Sequence, residues 1–169
     1  SDLGMTVPGD LGATLATGAQ ALGLDLAETT RQRLLDYLAL LLKWNRVYNL
    51  TAVREPAEVL THHLLDSLSA LPPLLHHTQG APTRVLDVGS GGGLPGVVWA
   101  ICRPELEVTC VDAVAKKTAF VQQVSGALAL PQVHAVHARV ETLSERWPWV
   151  TSRAFRSEEH TSELQSHHD

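Results

Sequence analysis

Val85-Leu86-Asp87-Val88-Gly89-Ser90-Gly91-Gly92-Gly93-Leu94-Pro95-Gly96 is the stretch from which the architecture of this chain is read. A short apolar run holds an acid two residues before the first of three alternating glycines, and an apolar helical pattern follows. Strand, side-chain-poor turn and helix in that order begin a crossover in an open parallel sheet. Glycines at 89, 91 and 93 let the backbone turn sharply and let a ligand come close to it. The helix start beyond them offers N–H donors that have no partner within the helix. Open α/β sheets bind ligands at the carboxyl ends of their strands, which is where this turn falls.

Working outward, the pattern repeats downstream. A helix is expected from about Leu94 to just before Arg103-Pro104, then a strand over Glu107–Val111 and a helix over roughly 114–129. Strands follow at Gln132–Val136 and Trp149–Ser152. Alternating strands and helices imply right-handed crossovers and an α/β fold with a doubly wound, mostly parallel sheet. Upstream, Leu34, Leu35, Tyr37, Leu38, Leu41, Leu42 and Trp44 recur at helical spacing between about Thr30 and Asn45. Thr29 or Thr30 is the expected cap. A shorter helix is expected over roughly 56–71, opened by Pro56 and stopped by Pro72-Pro73, with a loop from His76 to Pro82.

Composition bounds the rest. The chain has 169 residues, 44% hydrophobic and 18% charged, enough for one soluble α/β domain with a single core. No apolar run reaches the roughly 20 residues of a membrane span, and the N-terminus lacks the layout of a secretory signal. Cys102 and Cys110 fall in apolar stretches and read as buried free thiols, which fits a reducing cytoplasm. The formal net charge is −5, so nucleic acid would have to be held by a local patch. Both ends stand apart: residues 1–4 precede the sole methionine, Met5, and 156–169 is a polar, aperiodic tail resembling translated sequencing-library adapter. The divisions expected are a helical region over 5–80, a ligand-binding α/β domain over 81–155 and a non-native tail over 156–169.

For the ligand, two readings of the glycine turn compete. Gly91, Gly93 and Gly96 satisfy the dinucleotide spacing G-x-G-x-x-G, with Asp112 at a workable distance for a ribose hydroxyl. Counting from Asp87 instead, D-x-G-x-G-x-G resembles the first motif of class I methyltransferases, whose cofactor is S-adenosylmethionine. In that superfamily the acid ending the second strand holds the ribose, and Asp112 occupies its place. A purely structural turn is the third reading. His62-His63 and His76-His77 are adjacent pairs whose side chains diverge, without zinc spacing, so no metal is expected.

A second set of residues carries a more specific resemblance. Lys43-Trp44-Asn45-Arg46-Val47-Tyr48-Asn49-Leu50-Thr51 closely resembles the K-W-N-x-x-Y-N-L-T signature of the bacterial glucose-inhibited division protein B family. His63-Leu64-Leu65-Asp66-Ser67, the cofactor loop Asp87–Gly96, Arg139-Val140-Glu141 and Ser152-Arg153-Ala154-Phe155 follow in family order, so the likeness spans about 22–155. It implies a Rossmann-like class I methyltransferase with an N-terminal helical extension, acting from S-adenosylmethionine on N7 of a guanine in the 530 loop of 16S ribosomal RNA. Gly89, Leu94, Val140, Glu141 and Arg153 become the implied cofactor contacts, joined by Gly91 and Gly93 of the loop and by Asp112 from the superfamily. Arg153 is also the candidate catalytic residue, orienting cofactor or base. The chain departs from the family pattern at Trp147-Pro148-Trp149, where an acid is common, and the family continues beyond Phe155.

The implied reaction suits these residues. Guanine N7 has an exposed lone pair and no proton to lose, so no general base is required, and alignment supplies the rate. No N-P-P-Y-like segment follows the fourth strand, which argues against methylation of exocyclic amines. Arg31, Arg33, Lys43, Arg46 and Arg54 make the helical region the most basic stretch and the expected docking surface for 16S RNA or the small-subunit particle. A monomer is expected. Superfamily sheets have seven strands and this sequence shows four, so an incomplete sheet with an open, aggregation-prone edge is expected. The alternatives are a nicotinamide-dependent oxidoreductase and a non-catalytic domain binding an adenosyl ligand.

Overall fold

The computed structural model describes residues 9–52, 55–89 and 91–152. Within them lies one parallel sheet of β1 (Thr83–Val88), β2 (Leu106–Asp112), β3 (Val133–His137) and β4 (Trp149–Ser152), in the spatial order β3-β2-β1-β4. Register pairs Val88 with Val111 on one side and with Ser152 on the other, so these three strands end level. From β1 the chain winds outward to β3, then returns to lay β4 on the opposite side of β1. In open sheets such a reversal is where ligands bind, outside the carboxyl ends of the strands, here those of β1 and β4. An α/β sheet of this kind is what the strand–turn–helix alternation led us to expect.

Period-two alternation explains how β1 serves two faces. Val85 joins the main core, Leu86 and Val88 join a smaller cluster on the other face, and all are buried. The first face carries α6 (Gly96–Cys102) and α7 (Ala115–Ala127). Over these stack α1 (Gly9–Ala21), α2 (Glu28–Tyr48), α3 (Pro56–Val59), a π-helical segment Leu60–Leu65, α4 (Asp66–Ser69) and α5 (Leu71–Thr78). Leu34, Leu38, Leu64 and Leu68 share one core with Trp99, Val85 and Val108, so the helical extension and the sheet bury a common interior. Trp99 satisfies its indole N–H on the Ser67 carbonyl at 2.8 Å.

Side chains also tie α2 to α7. The Arg33 guanidinium donates to the carbonyls of Leu128 and Ala129, just past the end of α7, where orphan acceptors and the negative end of the helix dipole favour a cation. Arg31 donates to the Leu26 carbonyl at 2.6 Å. Two of the arginines assigned above to RNA docking are therefore engaged in holding the fold.

Several local expectations need correction. α2 starts at Glu28 with Ala27 at the cap position and no side-chain cap bond, so Thr29 and Thr30 lie inside the helix. Pro72 and Pro73 do not end a helix; they sit in the first turn of α5, where a missing N–H costs nothing, and the helix runs through His76 to Thr78. The single helix over 56–71 is instead interrupted by the π segment. α1 was not anticipated, because its Gly- and Ala-rich run has few large apolar residues to mark a period.

The second face is covered differently. Val136, Ala138, Val140, Leu143 and Trp147, from β3 and the connection to β4, pack over Leu86, Val88, Val111 and Val150. A cleft of about 630 Å³ remains there, walled by Arg84, Leu86, Val150 and Trp147 among others. Arg84 places its guanidinium 4.4 Å from the centre of the Trp147 ring. No helix among the described residues is long and apolar enough to cross a membrane.

Candidate functional site

The site grows from the end of β1. The Gly89 amide donates to the Val111 carbonyl at 2.8 Å, which carries the ladder one residue past the strand before the chain turns. Gly89, Gly91 and Gly93 have φ of 64, 61 and 87°, the left-handed region that glycine alone enters without steric cost. Asp87, fully buried, looks inward: its Oδ2 accepts the Gly96 amide at 2.7 Å and so caps the start of α6. A Cβ at Gly96 would lie 2.6 Å from that oxygen. The acid before the glycines thus anchors the helix behind the turn.

Asp112, at the end of β2, is the acid that meets the turn itself. Its Oδ1 accepts the Val114 amide at 2.8 Å and its Oδ2 the Gly91 amide at 3.4 Å. A carboxylate has about four acceptor sites, so these two donors leave capacity for the hydroxyls of a ribose. The β3 exit is drawn to the same point, with the Ala138 amide on the Asp112 carbonyl at 3.0 Å and His137 Nε2 3.0 Å from the Ala113 carbonyl oxygen. The short 3-10 turn Val140–Thr142 follows. Val140 packs with Val88 and Val111, whereas Glu141 is exposed.

Gly89, Gly91, Asp112 and Val140 therefore gather around the ends of β1 and β2. Gly91, Gly93 and Leu94 are all buried, Gly89 is half-buried, and the Leu94 side chain belongs to the main core. Only their backbone faces the question of ligand contact. Arg153 lies outside the described residues, although its neighbour Ser152 pairs with Val88 at the strand ends. Among the described residues, no group of three or more His, Cys, Asp or Glu comes together to hold a metal.

Sequence reasoning missed the roof of the turn. Tyr37, buried in the middle of α2, donates its hydroxyl to the Gly92 carbonyl at 2.5 Å. A Cβ on Gly92 would lie 2.6 Å from Leu41 Cδ1, and one on Gly91 would lie 3.4 Å from the Leu50 carbonyl oxygen. Leu50 is held there by a clip: Thr51 donates its amide to Asn45 Oδ1 at 2.8 Å while Asn45 Nδ2 donates to Thr51 Oγ1 at 3.1 Å. The Asn and Thr of the K-W-N-x-x-Y-N-L-T stretch thus fasten the end of α2 over the glycines. Their six-residue spacing was visible in the sequence, but only the fold shows what they close on.

The family model described as rRNA small subunit methyltransferase G, GidB, matches residues 30–168. The chain belongs to this family. It is 62% identical over 149 residues to the ribosomal RNA small subunit methyltransferase G of Acidovorax ebreus, covering 83% of this chain and 66% of the relative. Against that of Paracidovorax citrulli it is 57% identical over 165 residues, covering 90% and 68%. The chain thus spans about two thirds of the length of the curated relatives it matches. A solved S-adenosylhomocysteine-bound methyltransferase of Podospora anserina superposes with a TM-score of 0.50 at 12% identity, over 88% of this chain and 59% of that one, which bears on the fold alone. In this GidB chain, then, a class I methyltransferase sheet carries its glycine turn beneath an N-terminal helical roof.

Proposed function

We propose that the protein this chain represents transfers a methyl group from S-adenosylmethionine to N7 of a guanine in the 530 loop of 16S ribosomal RNA. The observation that carries this reading is the glycine turn at the strand ends, where Asp112 receives the Gly91 amide, in a chain of the GidB family. The cofactor fits what the residues offer: Asp112 has unused acceptor capacity for a ribose diol, and the positive-φ glycines keep side chains out of the approach. Gly89, Gly91 and Asp112 hold the nucleoside, Val140 with Glu141 brackets its base, and Gly93 with Leu94 contributes through backbone. Arg153 remains the residue assigned to orient cofactor or guanine. In this reading 5–80 is the helical region, 81–155 the cofactor domain, and the compartment is the cytoplasm.

The chemistry the cofactor supplies when bound is an electrophilic methyl on a sulfonium. The chain's own residues need only align it with the N7 lone pair, an entropic advantage of up to roughly 7–11 kcal/mol in well-oriented systems. A nicotinamide dinucleotide is disfavoured by Asp87. Its carboxylate opens the D-x-G-x-G-x-G spacing, and the GidB family to which the chain belongs is one of methyltransferases. Of the basic residues read as an RNA surface, Lys43 and Arg46 are exposed, while Arg54 lies outside the described residues.

Calorimetry against S-adenosylhomocysteine and NAD separates the two cofactors, and transfer of labelled methyl to small-subunit RNA separates an enzyme from a binding domain. The expected results are binding of the first ligand alone and release of N7-methylguanine on RNA digestion. Binding without transfer by the whole protein leaves the non-catalytic reading standing.

A further inference from the structure

α2 and α7 run antiparallel, and this brings two unremarked features to the rim of the glycine turn. Arg33, near the start of α2, reaches Leu128 and Ala129 past the end of α7, whereas Trp44 packs on Phe120 with ring centroids 5.4 Å apart. At 1.5 Å per residue, the last turn of α2 therefore runs out beside the first turn of α7, which opens with Lys116 and Lys117. The same turn of α2 leads through Asn49 to Leu50, whose carbonyl lies against Gly91.

Here the surface is unusual. Val47 is 69% exposed, Tyr48 40% and Val114 39%, and they are the large hydrophobics exposed among the described residues. All fall on this rim. The Tyr48 ring is also braced: it lies 5.3 Å from the Trp44 ring, which in turn rests on Phe120 in the core. An aromatic held by a second aromatic loses little freedom when something stacks on its open side. At the start of α7 beside it, Lys116 is exposed and Lys117 half-buried. A flat apolar ring flanked by ammonium groups complements an unpaired base with its phosphates, and fits a protein helix poorly because the lysines would lose water without acidic partners.

The geometry points to Tyr48 as a stacking platform for an unpaired base of the RNA substrate, with Lys116 and Lys117 holding the adjoining phosphates. This rests on the RNA reading above and deepens it by naming the residues that grip the strand. The test is fluorescence anisotropy of this chain with a labelled, unstructured single-stranded RNA 12-mer and an abasic 12-mer, run beside calorimetry with S-adenosylhomocysteine. Tyr48→Ala and Tyr48→Leu are expected to weaken 12-mer binding roughly 5- to 100-fold, with Tyr48→Phe close to the unaltered chain. Cofactor affinity stays unchanged in all three, and the abasic 12-mer does not distinguish them. Lys116→Ala with Lys117→Ala lowers the salt slope of binding by roughly 1.4. Unchanged RNA affinity in Tyr48→Ala, an equal loss in Tyr48→Phe, or an equal loss on the abasic strand overturns the proposal and leaves the rim to a protein partner. Failure to bind S-adenosylhomocysteine strikes the cofactor reading instead.

Discussion

Asp112 accepts two backbone amides, Val114 at 2.8 Å and Gly91 at 3.4 Å, and still has lone pairs to spare. The same carboxylate thus holds the turn and offers acceptors to a ribose-bearing ligand. Asp112→Ala is expected to weaken S-adenosylhomocysteine roughly 10- to 100-fold in calorimetry, as loss of charge-assisted hydrogen bonds of about 1.5–3 kcal/mol would do. Retained affinity would show that the ligand sits elsewhere. Cys102, expected from the sequence to be buried but left half-buried by the fold while Cys110 is buried, illustrates a residue whose reactivity the fold lowers. Burial pushes its thiol up to about 12 from the ordinary 9.0, with Arg103 pulling weakly the other way. The folded chain therefore keeps this proton between pH 9.0 and about 12 while the unfolded chain gives it up, so this group's contribution to stability is intact below pH 9.0 and declines as pH rises through that window. At pH 8 Cys102 is expected to resist a thiol-labelling reagent in the native protein and to react once denatured, read by mass spectrometry.

At the scale of elements, the two acids around the glycine turn divide their labour. Asp87 fixes the helix behind the turn and Asp112 fixes the turn itself. Spacing put Asp87 at the head of the glycine motif and Asp112 at the end of the second strand, but a sequence pattern does not show which way either carboxylate points. Gly96→Ala would press a methyl against Asp87 Oδ2 at 2.6 Å and Val108 Cγ1 at 2.8 Å, whereas Gly92→Ala would meet chiefly the movable end of Leu41. Denaturant melts should therefore show Gly96→Ala the more destabilising, by roughly 1–3 kcal/mol; the reverse order would contradict the capping role. The strands were legible to within a residue or two because their apolar runs are short and bounded. The prolines at 72 and 73 were misread because the same residue type that closes one helix also opens the next. The roof made by Tyr37, Leu41 and Leu50 was not legible, because each contact joins residues some 40 to 55 positions apart.

For the molecule as a whole, the arrangement concentrates function at one end. The topological reversal between β1 and β4, the glycine turn, Asp112 and the braced rim of α2 all lie at the carboxyl ends of the strands. Arg31 and Arg33, by contrast, serve the opposite end of α2 and its seam with α7. A net charge of −5 gave no hint of this separation, since it sums residues that hold the fold with residues left at the rim. Amide chemical-shift mapping of the chain titrated with S-adenosylhomocysteine examines the central claim most directly. Saturable shifts at Gly89, Gly91, Asp112 and Val140, absent when NAD replaces the ligand, are the predicted result. Shifts confined to Arg84, Trp147 and Val150 in the cleft whose wall Val140 shares, with Gly89, Gly91 and Asp112 unmoved, or the same pattern produced by NAD, would contradict it.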